Sequence, residues 1–165
     1  MDGPTAQDRE SDKFTAEHLP DGWLSWNLKD QTRFNTLIEP LHVRAEPSVT
    51  PGMPRGRLRM VPGIQHSNLG NAVHGAITMA LIDIALFAVP SQYDMLGEGY
   101  SVTLDVHTQF VGAGRLDEPL DAVLEVVKET RRLIFLRGLV VQGPDDSHVV
   151  ASFTGTVRKP TPPKR

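Results

Sequence analysis

The stretch HSNLGNAVHGAITMALIDIALFAV, residues 66–89, decides how this chain folds. From residue 75 to about residue 88 it is apolar on nearly every face of a helix, which predicts a helix buried in the core rather than lying on a surface. Pro90 marks its end. The apolar run over residues 76–89 is too short to span a bilayer and carries Asp83. A buried carboxylate is costly unless it is paired or hydrogen-bonded, so Asp83 has either a structural partner or a use.

Working outward, YSVTLDVHTQFV (residues 100–111) places Val102, Leu104 and Val106 in alternation with Ser101, Thr103, Asp105 and His107, the period of a half-buried strand. PLDAVLEVVKET, RRLIFLRGLVVQ and SHVVASFTGTVRK read as three more strands, separated by the turns GAGRLDE, ETRR and GPDD. Upstream, GRLRMVP predicts a short strand, and residues 30–38 a helix ending before Pro40. Residues 1–13 are charged and expected to fray, and the tail PTPPKR to be disordered. The order is helix, strand, central buried helix, then an antiparallel meander of about four strands. It predicts an α+β architecture with a sheet wrapped around one helix. One helix covers one face of such a sheet, so association through edge strands is expected.

The chain has 165 residues, a length suited to one domain, and its composition is that of a globular protein. A net charge of -3 offers neither a basic footprint for nucleic acid nor a polybasic attraction to a membrane. With no cysteine there is no disulfide frame, thiolate nucleophile or zinc–thiolate site. The polar opening MDGPTAQDRESDKF lacks the apolar segment of a secretory signal, so a cytoplasmic location is expected. His66, His74 and His107 have no recognisable ligand spacing, and neither a metal nor a cofactor is expected. No G-x-S-x-G elbow, phosphate loop or dinucleotide fingerprint is present.

The chemistry concentrates in residues 68–101. His74 and Gly75 stand where the central helix begins. The free N–H groups and dipole of a helix N-terminus suit a developing negative charge such as a polarised carbonyl oxygen; alternatively, Gly75 only permits tight packing. Asp83 is either a capped or ion-paired buried aspartate or a carboxylate held in a cleft as nucleophile or general base. Asn68 suits a turn in its own loop, His74 a backbone contact at the helix start, and Ser101 a cross-strand hydroxyl. Gly75 and Asp83 are eight residues apart, roughly 12 Å along a helix axis. They cannot both touch one carbonyl from the same chain, so if both act, the site joins Gly75 of one subunit to Asp83 of another.

Taken together, NLGNAVHG (residues 68–75) followed by Asp83 in an apolar helix resembles the acyl-CoA thioesterases of the hotdog superfamily. The branch it resembles is that of the phenylacetate-pathway, or PaaI-like, thioesterases. The resemblance runs from about residue 58 to residue 158. It implies a hotdog domain over residues 51–159, an N-terminal extension over residues 1–50 with a short helix, and a tail over residues 160–165. By position it implies that Asn68 helps hold the thioester carbonyl or the attacking water, and that the Gly75 amide, in the family's His74–Gly75 pair, donates to the oxyanion. It further implies that Asp83 is the catalytic carboxylate and Ser101 a water-orienting hydroxyl. Ala76 departs from the His-Gly-Gly of many members, but an alanine in the first turn favours helix and leaves the Gly75 amide free. The implied reaction is hydrolysis of an acyl-CoA thioester in a homodimer or dimer of dimers, with Arg131 and Arg132 as candidates for the coenzyme A phosphates. A hotdog dehydratase or hydratase, or a non-catalytic acyl-CoA-binding protein, are the competing readings. Trp23, Trp26 and Phe34 in the extension either cover an acyl pocket or pack on the sheet.

Overall fold

The computed structural model describes residues 13–15 and 17–160; most of the expected frayed start and most of the tail lie outside them. Five strands precede the helix: β1 (Phe14–Thr15), β2 (Leu24–Ser25), β3 (Asn27–Leu28), β4 (His42–Glu46) and β5 (Arg55–Met60). The helix α1 spans Gly75–Ser91, and β6 (Val102–Phe110), β7 (Leu120–Glu129), β8 (Leu133–Gln142) and β9 (His148–Arg158) follow. β1 and β3 form a separate pair, and the rest make one antiparallel sheet in the order β2-β4-β5-β7-β8-β9-β6. No helix among the described residues is long and apolar enough to cross a membrane.

The alternation of β5 assigns the two faces. Gly56, Leu58 and Met60 are buried on the face that meets α1, while Arg55, Arg57 and Arg59 point to the other. Leu81, Ile82, Leu86 and Val89 of the helix and Leu58, Leu124, Leu136 and Val157 of the strands form the core, each at most 2% exposed. The helix seats closely because β9 carries Gly155 beneath it: a Cβ there would lie 2.7 Å from Leu86 Cδ1. Truncating one of these leucines to alanine costs about 3 kcal/mol through lost burial and the cavity left behind.

On the outer face Arg57 donates to Asp121 at 2.7 Å and to both Asp146 oxygens at 3.0 Å, and it also contacts Glu46. Arg59 forks onto Asp121 with two 2.7 Å bonds. Burial alone would push the Glu46 carboxyl up, but bonds from Arg57 and Arg44 hold it below its ordinary value. Burial, with the charge of Arg59, likewise holds the His42 imidazole down.

Four expectations need correction. The central helix reaches one residue past Pro90, which sits in its last turn and gives up one i→i−4 hydrogen bond there. Residues 30–38 form no α-helix; a single 3₁₀ turn, Phe34–Leu37, takes its place. The last four strands are not one meander, because β6 pairs with β9 and lies at the sheet edge. Finally, β6 does not alternate uninterrupted, since its register shifts between Thr103 and Asp105.

The extension packs more than it covers. Trp26 is buried and stacks on Phe14 with ring centroids 4.3 Å apart, and β2 joins the sheet beside β4. Trp23 lies under the guanidinium groups of both Arg44 and Arg59, each 4.5 Å from its ring. Phe34 is exposed.

Candidate active site

The segment leading into α1 is a tight loop closed by its own polar groups. Asn68 Oδ1 accepts from the N–H of Gly70 at 2.8 Å and of Ala72 at 3.2 Å, and Asn68 N–H donates to Ala72 O at 2.8 Å. This is the turn-forming use of asparagine; among the described residues the Asn68 Nδ2 group has no partner. Asn71 takes a left-handed conformation, φ 57°, at the turn of this loop. His66, buried just upstream, fixes the loop from both sides of its ring. Nδ1 accepts from Gly63 N–H at 3.0 Å, so Nε2 carries the proton and donates to Leu37 O at 2.8 Å. The His66 carbonyl accepts from His74 N–H at 2.8 Å.

His74 is the N-cap of α1, and its Nδ1 accepts from Ala76 N–H at 3.0 Å. Its ring thus satisfies the amide next to Gly75 and leaves that of Gly75 without an acceptor among the described residues. A Cβ at residue 75 would come within 3.2 Å of Phe110 Cζ, so glycine is what lets the β6 ring lie against the helix start. The amide of Gly75 therefore stands beside a half-exposed aromatic wall, with the helix dipole behind it.

Asp83 is not buried. It lies on a stripe of the helix, with Ala76 and Met79, that the sheet leaves exposed. The apolar neighbours that make it look buried in the sequence point the other way, because successive helix positions differ by about 100° each. Its one hydrogen bond among the described residues comes from Thr103 Oγ1 of β6, which donates to Asp83 Oδ1 at 2.7 Å. Ser101 does not reach it; its hydroxyl points back to Leu96 O at a marginal 3.4 Å.

Thus the chain brings Asn68, His74 and Gly75 together at the start of α1 and places Asp83 two turns along it. Arg131 and Arg132 are exposed at the β7–β8 corner. That corner adjoins the start of β6, since Leu133 pairs with Arg158 and Arg158 with Val102. It lies towards Asp83 rather than Gly75. Two clefts, of 330 and 520 Å³, open on the outer face and are lined by Arg137 and Leu139 and by the Arg55–Arg57–Arg59 cluster respectively; no site residue lines either. Thr103 and Phe110 were missed by sequence reasoning. The alternation of β6 assigns Thr103 to the same face as Asp105 and His107, and no local signal marks the bulge that reverses it.

Residues 70–147 match the family model of the thioesterase superfamily. The fold is shared with the PaaI protein of the phenylacetic acid degradation operon of E. coli, 18% identical over 72% of this chain and 80% of that one, TM-score 0.57. An asparagine-to-aspartate variant of the phenylacetic acid degradation protein PaaI from Thermus thermophilus is 23% identical over 72% and 93%, TM-score 0.55. Zebra fish thioesterase superfamily member 2 is 22% identical over 79% and 89%, TM-score 0.61. A search of curated proteins finds no match to the sequence. The α+β architecture of one helix against a large antiparallel sheet is the hotdog fold of these structures.

Proposed function

We propose, on the premise that residues 70–147 belong to the thioesterase superfamily, that this protein hydrolyses an acyl-CoA thioester at a site shared between two copies of the chain. The observation that carries the reading is the division of one helix into two half-sites. At its start is a donor without an acceptor among the described residues, Gly75 N–H; eight residues on is an exposed carboxylate, Asp83. They are separated by roughly 12 Å along the axis, too far for one reacting carbonyl.

The edge strand supplies a way for the halves to meet. β6 is nine residues long and pairs on one side only. Val102, Leu104, Phe110 and the adjoining Val111 are exposed, between 40% and 65%. A long apolar edge is a template for a second strand, and antiparallel pairing with its own copy closes it by a two-fold axis. That axis reverses one helix relative to the other, so Asp83 of the partner subunit approaches Gly75.

In the reaction, Gly75 N–H and the α1 dipole stabilise the negative charge that develops on the thioester oxygen. Asn68 Nδ2 donates to the carbonyl or the attacking water. Asp83 of the partner subunit either adds to the carbonyl carbon or takes a proton from the water that does. Where water adds, the tetrahedral intermediate collapses by breaking the C–S bond, the thiolate of coenzyme A takes the proton held by Asp83, and the carboxylic acid remains; where Asp83 adds, the same collapse leaves a mixed anhydride on Asp83, which a water then hydrolyses to the acid and the free carboxylate. Arg131 and Arg132 are proposed to meet the coenzyme A phosphates, and the PaaI-like branch, a homodimer or dimer of dimers, and a cytoplasmic setting complete the reading.

The test is release of free thiol from short, long and aromatic acyl-CoA thioesters, followed by subunit mixing. Gly75→Pro and Asp83→Asn proteins are each inactive in this reading, but a heterodimer of the two regains one intact site and part of the activity. Confirmed subunit exchange with no recovery would overturn the shared site, and no thiol release by the wild-type protein across the panel would overturn the activity.

A further inference from the structure

We infer that the 3₁₀ turn Phe34–Leu37 of the N-terminal extension sets the acyl specificity of the site by seating an uncharged, apolar acyl chain, and that His66 positions the turn; this rests on the thioesterase reading above. The extension divides its apolar residues sharply. Trp26, Ile38 and Leu41 are buried, whereas Phe34 and Leu37 are 60% and 62% exposed. Side chains three positions apart in a 3₁₀ helix eclipse one another, so these two stand together on the open side of the turn. Both forgo the burial that Ile38, the next residue, obtains.

The turn is fixed against the loop that leads into α1. His66 Nε2 donates to Leu37 O at 2.8 Å while Nδ1 accepts from Gly63 N–H at 3.0 Å. The His66 carbonyl in turn accepts from the N–H of His74, one position before Gly75. His66, itself buried, thus joins the extension to the start of the helix. It contacts no reacting atom; both ring nitrogens are engaged in holding the turn.

The loop carries apolar surface of the same kind. Ile64 precedes His66, Leu69 follows Asn68, and both are exposed. The half-exposed Phe110 ring lies against Gly75. Residues 60–82 hold no Asp, Glu, Lys or Arg. Arg33, at the N-cap of the turn, donates to Asp30 at 2.7 Å and is neutralised by it. A thioester carbonyl resting on Gly75 N–H and Asn68 Nδ2 would therefore carry its acyl chain into surroundings that are apolar and without net charge. A short acyl group ends at the donors, whereas a longer one reaches Phe34 and Leu37. A charged acyl group would lose its hydration there with no counter-ion to replace it.

The experiment measures kcat and KM for thiol release from acetyl-, succinyl- and octanoyl-CoA, with oligomer mass and melting temperature recorded for every variant. Wild type should favour octanoyl-CoA over acetyl-CoA by at least about 10-fold in kcat/KM and use succinyl-CoA least. Phe34→Ser with Leu37→Ser should lower the octanoyl-to-acetyl ratio about 10-fold, through KM for octanoyl-CoA rather than kcat. His66→Asn keeps an acceptor for Gly63 N–H but is too short to reach Leu37 O, and should lower the ratio about 5-fold. His66→Gln restores a donor of the right reach and should return it to within about 2-fold. Val49→Ser, at an exposed site between β4 and β5, is the control and should leave the ratio unchanged. A preference for acetyl- or succinyl-CoA, or a ratio unmoved by the double variant, would overturn the inference while the hydrolysis stands. So would a double variant that changes the oligomer mass alone, which would assign the patch to a second copy of the chain. A ratio unmoved in His66→Asn would overturn the role of His66. No thiol release by wild type from any of the three would overturn the parent reading and this inference with it.

Discussion

On the outer face of the sheet Arg57 meets three carboxylates, Glu46, Asp121 and Asp146, and Arg59 closes a two-bond fork on Asp121. On the exposed stripe of α1, Asp83 has one hydroxyl and the Gly75 amide has no acceptor among the described residues. Both regions carry strongly polar groups, yet only in the first does a charged group meet several partners among the described residues. A group bonded on all sides resists chemistry and holds the fold together, whereas a group held by one bond, with its remaining valence directed outward, is available to a ligand or a second subunit. By this criterion the denser charge cluster is structural and the sparser one is the candidate site.

Four measurements break or sharpen that contrast. The largest effect is expected at Asp83: Asp83→Asn should lower kcat/KM about 1,000-fold, about 4 kcal/mol of transition-state stabilisation, with little change in melting temperature. A collapse of stability in this variant would place Asp83 with the structural charges instead. Arg57→Leu is its mirror image. Removing the cation leaves Glu46 and Asp146 facing a buried void in the network, at a cost of about 3 kcal/mol in chemical denaturation, while the folded fraction retains its turnover per site.

Acid should act through the outer face. Glu46 and His42 both have folded-state values below their ordinary ones, so the native state binds fewer protons than the unfolded chain in the intervening window. Their stabilisation is complete above the unfolded values and is lost as pH falls. Loss begins near the ordinary histidine value of 6.5 and deepens below the ordinary glutamate value of 4.5. Melting temperatures that rise on acidification through this window would contradict the assignment.

The smallest effect concerns Thr108, on the inner face of β6 between Val106 and Phe110. Its hydroxyl oxygen is buried without a partner among the described residues. If that holds in the assembled protein, Thr108→Val should stabilise by about 1 kcal/mol, because valine fills the same space and desolvates no hydroxyl. A destabilised variant would show that the hydroxyl is bonded across the subunit interface.

Much of this could be read from residues in order. The apolar run after Gly75 specifies a helix; NLGNAVHG specifies a loop that closes on Asn68 and caps on His74; the turns after residues 110, 129 and 142 separate the long strands. Each is a local matter, settled by periodicity, capping and turn chemistry within a few residues. The helix near residues 30–38 failed for a complementary reason. The end of that segment is held by nonlocal bonds, with Leu37 O tied to His66 and the adjoining Glu39 accepting from Leu28 N–H at 2.7 Å, and only one 3₁₀ turn forms.

By itself, then, the sequence determined the helix and the spacing of Gly75 and Asp83, eight residues and roughly 12 Å apart along it, because helical rise depends on nothing beyond the backbone. Only the tertiary structure decided which side of α1 is left bare, that β6 joins β9 at the sheet edge, and that a bulge turns Thr103 rather than Ser101 toward Asp83. Those outcomes depend on which distant strand offers the better register, and pairing between residues some fifty positions apart leaves no periodic trace in either.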